Sequence, residues 1–259
     1  MTKEFKSILI TGASSGLGAA LARAYAAPGV HLHLGARRAD LLAAVAESCR
    51  DKGADVSERT IDVTGADDMA AWIGQAHQTR ALDLVIANAG ISGGTSGGPE
   101  SGAQVRAIFA VNVDGVFNTV LPAIPLLAGG RGQVGIMASL AGHRGFPGAP
   151  AYCGSKAAVK VWGEGLRGDL AAQGIGVSVI MPGFVTTPMT AVNDFAMPFL
   201  MSPERAAAII MRGLARNRPR IAFPAPTSFI AWLLGALPPA ITDRLVRAAP
   251  KKRCTTSSG

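Results

Sequence analysis

The sequence predicts an α/β fold of the doubly wound kind, a seven-stranded, mostly parallel sheet with helices on both faces. Three observations carry this. Short apolar runs alternate with longer helical stretches along the chain, the pattern of a parallel sheet with right-handed crossovers. Most of the short runs are nearly continuous in apolar residues, as in Leu82, Leu84, Val85 and Ile86 or Val177, Val179 and Ile180, which suits strands buried on both faces. A glycine-rich turn joins the first run to the first helix. Strands are expected at about 6–11, 30–35, 55–61, 82–87, 131–138, 175–181 and 219–223. Helices are expected at about 17–27, 39–52, 66–78, 102–127, 150–173 and 202–216.

Taken in order, most of the strands end in residues with chemistry of their own. The first, built on Ile8-Leu9-Ile10, runs into Thr11-Gly12-Ala13-Ser14-Ser15-Gly16-Leu17-Gly18 and an Ala-rich helix. Small residues there let the backbone approach a pyrophosphate, which the helix N-terminus favours. The spacing is Gly-x3-Gly-x-Gly, so the turn alone is a weak signal. The second strand ends Gly35-Ala36-Arg37-Arg38, either solvated loop cations or a fork for a phosphate. Asp62-Val63 follows the third strand and reads equally as a turn or a cap. Asn88-Ala89-Gly90 ends the fourth and fits an ordinary Asn/Gly turn.

Asn112 lies in the apolar stretch Val111–Phe117, where a buried amide is costly unless paired; bonding a backbone carbonyl at a kink would satisfy it. Ser139 ends the fifth strand after Val134-Gly135-Ile136-Met137-Ala138. Thirteen residues on, Tyr152-Cys153-Gly154-Ser155-Lys156 opens a helix. Tyr152 and Lys156 are four apart and share one helix face. A fixed ammonium beside a phenol favours the phenolate and makes it a usable acid or base. Bringing a free Tyr from its usual value to neutrality asks for about 4 kcal/mol. Ser139 could hydrogen-bond a substrate carbonyl and the oxyanion that develops on it. The sixth strand leads into Pro182-Gly183-Phe184-Val185-Thr186-Thr187, by itself a turn. Ligands of such sheets bind beyond the C-terminal strand ends, where Gly12, Asp62, Asn88, Ser139 and Pro182 all fall.

These elements, in this order from about Lys6 to about Met189, resemble the short-chain dehydrogenases/reductases of the common single-domain type, with a Rossmann-type sheet. The resemblance implies a ketone or aldehyde interconverted with an alcohol by hydride transfer. It implies Tyr152 as general acid/base, Ser139 as the group that positions the oxygen, and Lys156 as the cation that lowers the Tyr pKa and holds the nicotinamide ribose. Asn112 would order a relay water joined to Lys156. Cofactor contacts would come from Gly12, Ser14, Ser15, Gly16, Leu17 and Gly18. Asp62 would contact the adenine, with a backbone contact from Val63. Asn88, Ala89 and Gly90 would lie beside the adenosine ribose. Pro182, Gly183, Val185 and Thr187 would orient the carboxamide. An NAD-specific fold tends to carry an acid after the second strand; this chain has Ala36, then Arg37 and Arg38, which favours NADP(H) over NAD(H). A homodimer or homotetramer is the family's expectation. The competing reading is a non-catalytic NADP(H)-binding sensor or scaffold on the same fold.

The 259 residues, 49% hydrophobic and 16% charged, suit one catalytic domain over 1–259. Within it, 189–250 would form a substrate lid and apolar C-terminal region, with 251–259 a flexible tail. Cys49, Cys153 and Cys254 are odd in number and widely spaced, which argues for a reducing, cytoplasmic setting. No His/Cys/Asp cluster has metal-ligand spacing, and no secretory leader precedes the first strand. The net charge of +8 suits an anionic cofactor; no basic run sits in a nucleic-acid motif. His143 and Arg144 read as solvated loop residues. Ser139 lacks the Gly-x-Ser-x-Gly elbow of a hydrolase nucleophile. From Ile221 to Thr242 no residue is charged, and Arg244, Arg247, Lys251, Lys252 and Arg253 follow with Asp243 alone opposing them. Prolines limit an uninterrupted helix to Thr227–Leu237, too short to span a bilayer. A lid over a hydrophobic substrate, a subunit interface, a peripheral membrane contact and plain packing all remain open for this stretch.

Overall fold

The computed structural model describes residues 3–94, 98–129, 132–193 and 195–247; the tail assigned to 251–259 lies outside them. Seven strands form one sheet: β1 (Ser7–Thr11), β2 (His31–Ala36), β3 (Asp55–Thr60), β4 (Leu84–Ala87), β5 (Gln133–Met137), β6 (Gly176–Pro182) and β7 (Arg220–Phe223). Their order is β3-β2-β1-β4-β5-β6-β7, and every neighbouring pair is parallel. The order reverses direction at β1 and β4, so the crevice for a ligand opens between their C-terminal ends.

Two apolar layers clamp the sheet because successive strand residues face opposite ways. Ile8 and Ile10 join one layer with Leu21 of α1 (Gly16–Tyr25), Leu42 of α2 (Ala39–Arg50) and Ile210 of α9 (Pro203–Ala215). Leu9 joins the other with Trp72 of α3 (Ala66–Thr79), Val116 of α5 (Gly115–Val120) and Val159 of α7 (Pro150–Leu170). The inner strands β1, β4, β5 and β6 are buried throughout, whereas the edge strand β3 is polar and largely exposed.

The expected single helix over 102–127 is broken. It comprises α4 (Gly102–Phe109), a π-helical turn (Ala110–Asp114), α5, and the one-turn α6 (Ile124–Leu127). The break before α6 carries Pro122, and Pro125 sits in the first turn of α6, neither able to donate to the helical ladder. The π turn has a different cause, because Asn112 bonds outside its helix, as described below. Beyond β6 come the short α8 (Pro188–Ala191) and α9. Beyond β7 come α10 (Ala225–Ala236) and α11 (Pro239–Arg247). Helix α10 starts two residues earlier than the prolines suggested, since Pro226 lies in its first turn, where a missing N–H costs nothing.

Candidate active site

The turn after β1 is shaped by close approach. Gly12 and Gly16 adopt φ of 67° and 54°, the left-handed region that glycine enters without strain. A Cβ at Gly12 would lie 2.8 Å from Cα of Ala89, and one at Gly18 would overlap the Gly12 carbonyl and lie 2.5 Å from Asn88 Nδ2. The turn is thus pressed against the end of β4. Asn88 fastens it, donating through Nδ2 to the carbonyls of Thr11 (2.9 Å) and Gly12 (3.3 Å). Thr11 Oγ1 accepts from the backbone N–H of Asn88 and Ala89, at 3.0 and 3.2 Å. On its other side the turn meets the segment after β6: a Cβ at Gly16 would lie 3.2 Å from Thr187 Cγ2. Thr187 N–H donates to Thr190 Oγ1 at 2.9 Å, and that hydroxyl donates to the Val185 carbonyl at 2.6 Å. Gly183 N–H donates to Phe223 O at 2.8 Å, so Pro182-Gly183 is held against β7.

The two arginines after β2 reach different partners. Arg38 donates to Ser14 Oγ (3.3 Å) and Ser15 Oγ (2.6 Å), which lays its guanidinium over the glycine turn. Arg37 faces Asp62 at 3.7 Å. Asp62 also accepts from the N–H and hydroxyl of Thr64, at 3.0 and 2.9 Å. Val63 is buried, and its carbonyl accepts from Asn118 Nδ2 at 2.9 Å. Glycines too tight for a Cβ, a helix N-terminus and the Arg38 guanidinium over it make a cradle that fits a dinucleotide phosphate chain.

A second group lies at the ends of β4 and β5. Ser139 follows β5 and accepts from Ala141 N–H at 3.1 Å. Tyr152 stands in the first turn of α7. Burial pushes its phenol above the usual value, and the Ser139 hydroxyl beside it pulls the other way. Lys156 is buried with its Nζ donating to Met137 O at 2.9 Å. Burial lowers it to about 8. Its ammonium lies 5.9 Å from the Tyr152 ring centroid.

Asn112 is buried at 0% exposure. Its Oδ1 accepts from Ile91 N–H at 2.8 Å, and its Nδ2 donates to Ile91 O at 2.9 Å and Ser155 Oγ at 3.0 Å. Reciprocal bonding to a strand-end loop draws this residue out of register and leaves the π turn. A Cβ at Gly90 would lie 3.2 Å from Asn112 Oδ1 and 3.4 Å from Lys156 Nζ, so the amide and the ammonium converge on one glycine. Ser155 and Glu100 are not among the site residues the sequence points to. Ser155 sits between Tyr152 and Lys156 and ties α7 to Asn112. Glu100 accepts from Ala151 N–H at 2.8 Å and so satisfies an orphan donor at the start of α7. It lines an open cavity of about 390 Å³ with Arg144, Phe146, Pro147 and Asp243. A Ser inside the Tyr-to-Lys turn is the signal for the first; Glu100 carries none. Arg144, read as a solvated loop residue, instead pairs with Asp243 of α11 at 2.6 Å. His143 is partly buried, and its pKa is lowered chiefly by burial. Cys49 and Cys153 are buried free thiols. Among the described residues no His/Cys/Asp/Glu group could hold a metal ion.

Comparison with known proteins gives the family and the fold. The family model described as short chain dehydrogenase matches residues 6–196. An oxidoreductase of Myxococcus xanthus is 36% identical over 246 residues, covering 94% of this chain and 97% of its own. The 11-beta-hydroxysteroid dehydrogenase-like 2 of Arabidopsis thaliana is 33% identical over 253 residues, covering 93% and 80%. The crystal structure of a short-chain type dehydrogenase/reductase from Mycobacterium marinum superposes with a TM-score of 0.75 at 27% identity, over 84% of this chain and 92% of that one. With the family model matching residues 6–196 and its all-parallel seven-stranded sheet, the chain belongs to the short-chain dehydrogenase family.

Proposed function

We propose that the protein is an NADP(H)-dependent reductase of a hydrophobic ketone or aldehyde, with Tyr152 as its proton donor. The observation that carries this is the gathering of Ser139, Tyr152, Lys156 and the Gly12–Gly18 cradle at one end of the sheet. NADP(H) would be held by that cradle, by Asp62 and Val63, by Asn88-Ala89-Gly90, and by Pro182, Gly183, Val185 and Thr187. Arg38 over Ser14 and Ser15, and Arg37 beside it, would take the 2′-phosphate. The bound cofactor supplies a hydride.

The chain's own residues do the rest. Ser139 donates to the carbonyl oxygen and to the negative charge that grows on it. Tyr152 gives that oxygen its proton. A phenol is protonated at neutral pH and can therefore give up a proton in the reducing direction. Lys156 keeps a positive charge beneath Tyr152 and would bind the nicotinamide ribose. Both N–H groups of Asn112 are committed, so a relay water would use the second lone pair of Oδ1 or a carbonyl that the π turn frees from the ladder.

The hydrophobic character of the substrate rests on the surface beyond β6. Met189, Val192, Phe199 and Leu200 are all exposed there, and a relative carries a hydroxysteroid dehydrogenase-like name. The test is oxidation of NADPH and NADH across carbonyls from small sugars to steroids and long-chain 3-keto lipids. Turnover is expected with NADPH and an apolar group of substrates, and Tyr152→Phe should lower it by about 10²- to 10⁴-fold. Tight NADPH binding without turnover on any carbonyl would favour the sensor reading instead. Near-normal turnover by Tyr152→Phe would overturn the role of the phenol.

A further inference from the structure

Helix α10 is apolar on every side, yet of its residues only Ala231 is buried. Phe229, Ile230, Trp232 and Leu233 stand 62%, 54%, 50% and 40% exposed. A helix that is hydrophobic all round ordinarily lies inside something. It is not a loose appendage. Gly235 packs against the His143 carbonyl so closely that a Cβ would overlap it, and Arg144 pairs with Asp243 of α11. The α10–α11 pair is therefore fixed beside the turn Leu140–His143 that follows Ser139.

We propose that α10 docks the protein on an anionic lipid surface, lying in the plane of the interface. Length excludes spanning: 12 residues make about 18 Å of helix against a hydrocarbon core of about 30 Å. Accordingly, no helix among the described residues is long and apolar enough to cross a membrane. Composition suits the interface, where Trp, Phe and Leu seat at the headgroup level.

Charge decides between lipid and a second copy of the chain. Arg244, Arg247, Lys251, Lys252 and Arg253 follow the apolar stretch with only Asp243 against them, and Asp243 is already paired. Arg244 and Arg247 belong to α11, which follows α10 directly, so a twofold contact through α10 would bring two such cationic helices towards one another. An anionic leaflet would neutralise both the segment and the residual charge of the molecule. The exposed Met189, Val192, Phe199 and Leu200 lie beyond β6, whose C-terminal end adjoins that of β7, so both apolar groups leave the same end of the sheet. Docking does not depend on the reaction proposed above.

The test is co-sedimentation of the full chain with phosphatidylcholine vesicles and with vesicles that also contain phosphatidylglycerol. Binding to the anionic vesicles is expected to be about tenfold tighter or more, and to weaken as salt rises. Trp232 emission, read against Trp232→Phe, should shift to the blue. Phe229→Ser with Trp232→Ser should abolish binding, as should Lys251→Glu, Lys252→Glu and Arg253→Glu together. Phe229 and Trp232 lie outside the proposed cofactor contacts, so NADPH binding checks that the variants remain folded. Absence of binding to phosphatidylglycerol vesicles would overturn the proposal. So would a wild-type dimer that Phe229→Ser and Trp232→Ser convert to monomer without any vesicle effect.

Discussion

Lys156 is buried, and burial alone lowers its pKa. Its folded pKa of about 8, against 10.5 for a free group, means that the folded chain holds fewer protons than the unfolded one between those values. Stability therefore rises as pH climbs through that window. Below it the buried ammonium costs on the order of 3 kcal/mol. Lys156→Met removes the penalty and keeps most of the volume, and replacing a buried charge by an apolar isostere is commonly neutral or stabilising. Urea unfolding near pH 7 should show the variant at least as stable as the parent, with the rise between pH 8 and 10 flattened. Its carbonyl turnover should fall at least a hundredfold. A loss of several kcal/mol would mean that the Met137 carbonyl bond outweighs the burial. The same residue marks a limit of reading the chain alone. Four-residue spacing put Tyr152 and Lys156 on one helix face, but spacing does not report depth. Depth is what lifts the phenol and sends the ammonium to Met137.

The element that departs most from expectation is the stretch 102–127. Its apolar periodicity reads as one helix, and the proline break was legible in Pro122 and Pro125. The π turn was not, because its cause is a loop residue, Ile91, twenty-one positions away in sequence. Strand β2 hides a second feature of this kind. His31 and His33 stack with ring centroids 4.3 Å apart. His33 is buried, with its Nε2 3.4 Å from Ser7 Oγ. Burial first, then the His31 and Arg80 charges, lowers His33 to about 4. A free His titrates at 6.5, so the unfolded chain binds more protons between pH 6.5 and 4. Stability should be lost as pH falls through that window. His33→Leu, close in volume, should remove most of that loss. Urea midpoints measured from pH 7 to 4 would show a flatter profile than the parent's. Equal slopes would place the acid sensitivity elsewhere, with Asp83 excluded because its burial raises its pKa and gives the opposite sign.

At the scale of the whole molecule, the parallel sheet with helices on both faces follows from the alternation of elements, whereas the strand order β3-β2-β1-β4-β5-β6-β7 is not written in that alternation. The rule that such sheets bind at their C-terminal ends is what pointed to Gly12, Asp62, Asn88, Ser139 and Pro182 as candidates. What composition could not reveal was how these ends are tied to one another. Asn88 and Thr11 join β1 to β4, Gly16 touches Thr187 beyond β6, and Arg38 reaches back from β2 to Ser14 and Ser15. A dinucleotide seated there would contact segments from both halves of the sheet, so its binding should stabilise the fold as a unit. At a concentration a hundred times its dissociation constant, a ligand adds about 2.7 kcal/mol. In a chain of this size that is a rise in Tm of roughly 5–10 °C. If the two guanidiniums receive a 2′-phosphate, NADPH should give a larger shift than NADH at equal concentration. Arg37→Ala with Arg38→Ala should reduce the NADPH shift to the NADH level while leaving the NADH shift nearly unchanged. Differential scanning fluorimetry over a cofactor titration reads all four combinations. Equal shifts for the two cofactors in the parent would leave Arg37 with Asp62, and Arg38 with the serines, as structural contacts only.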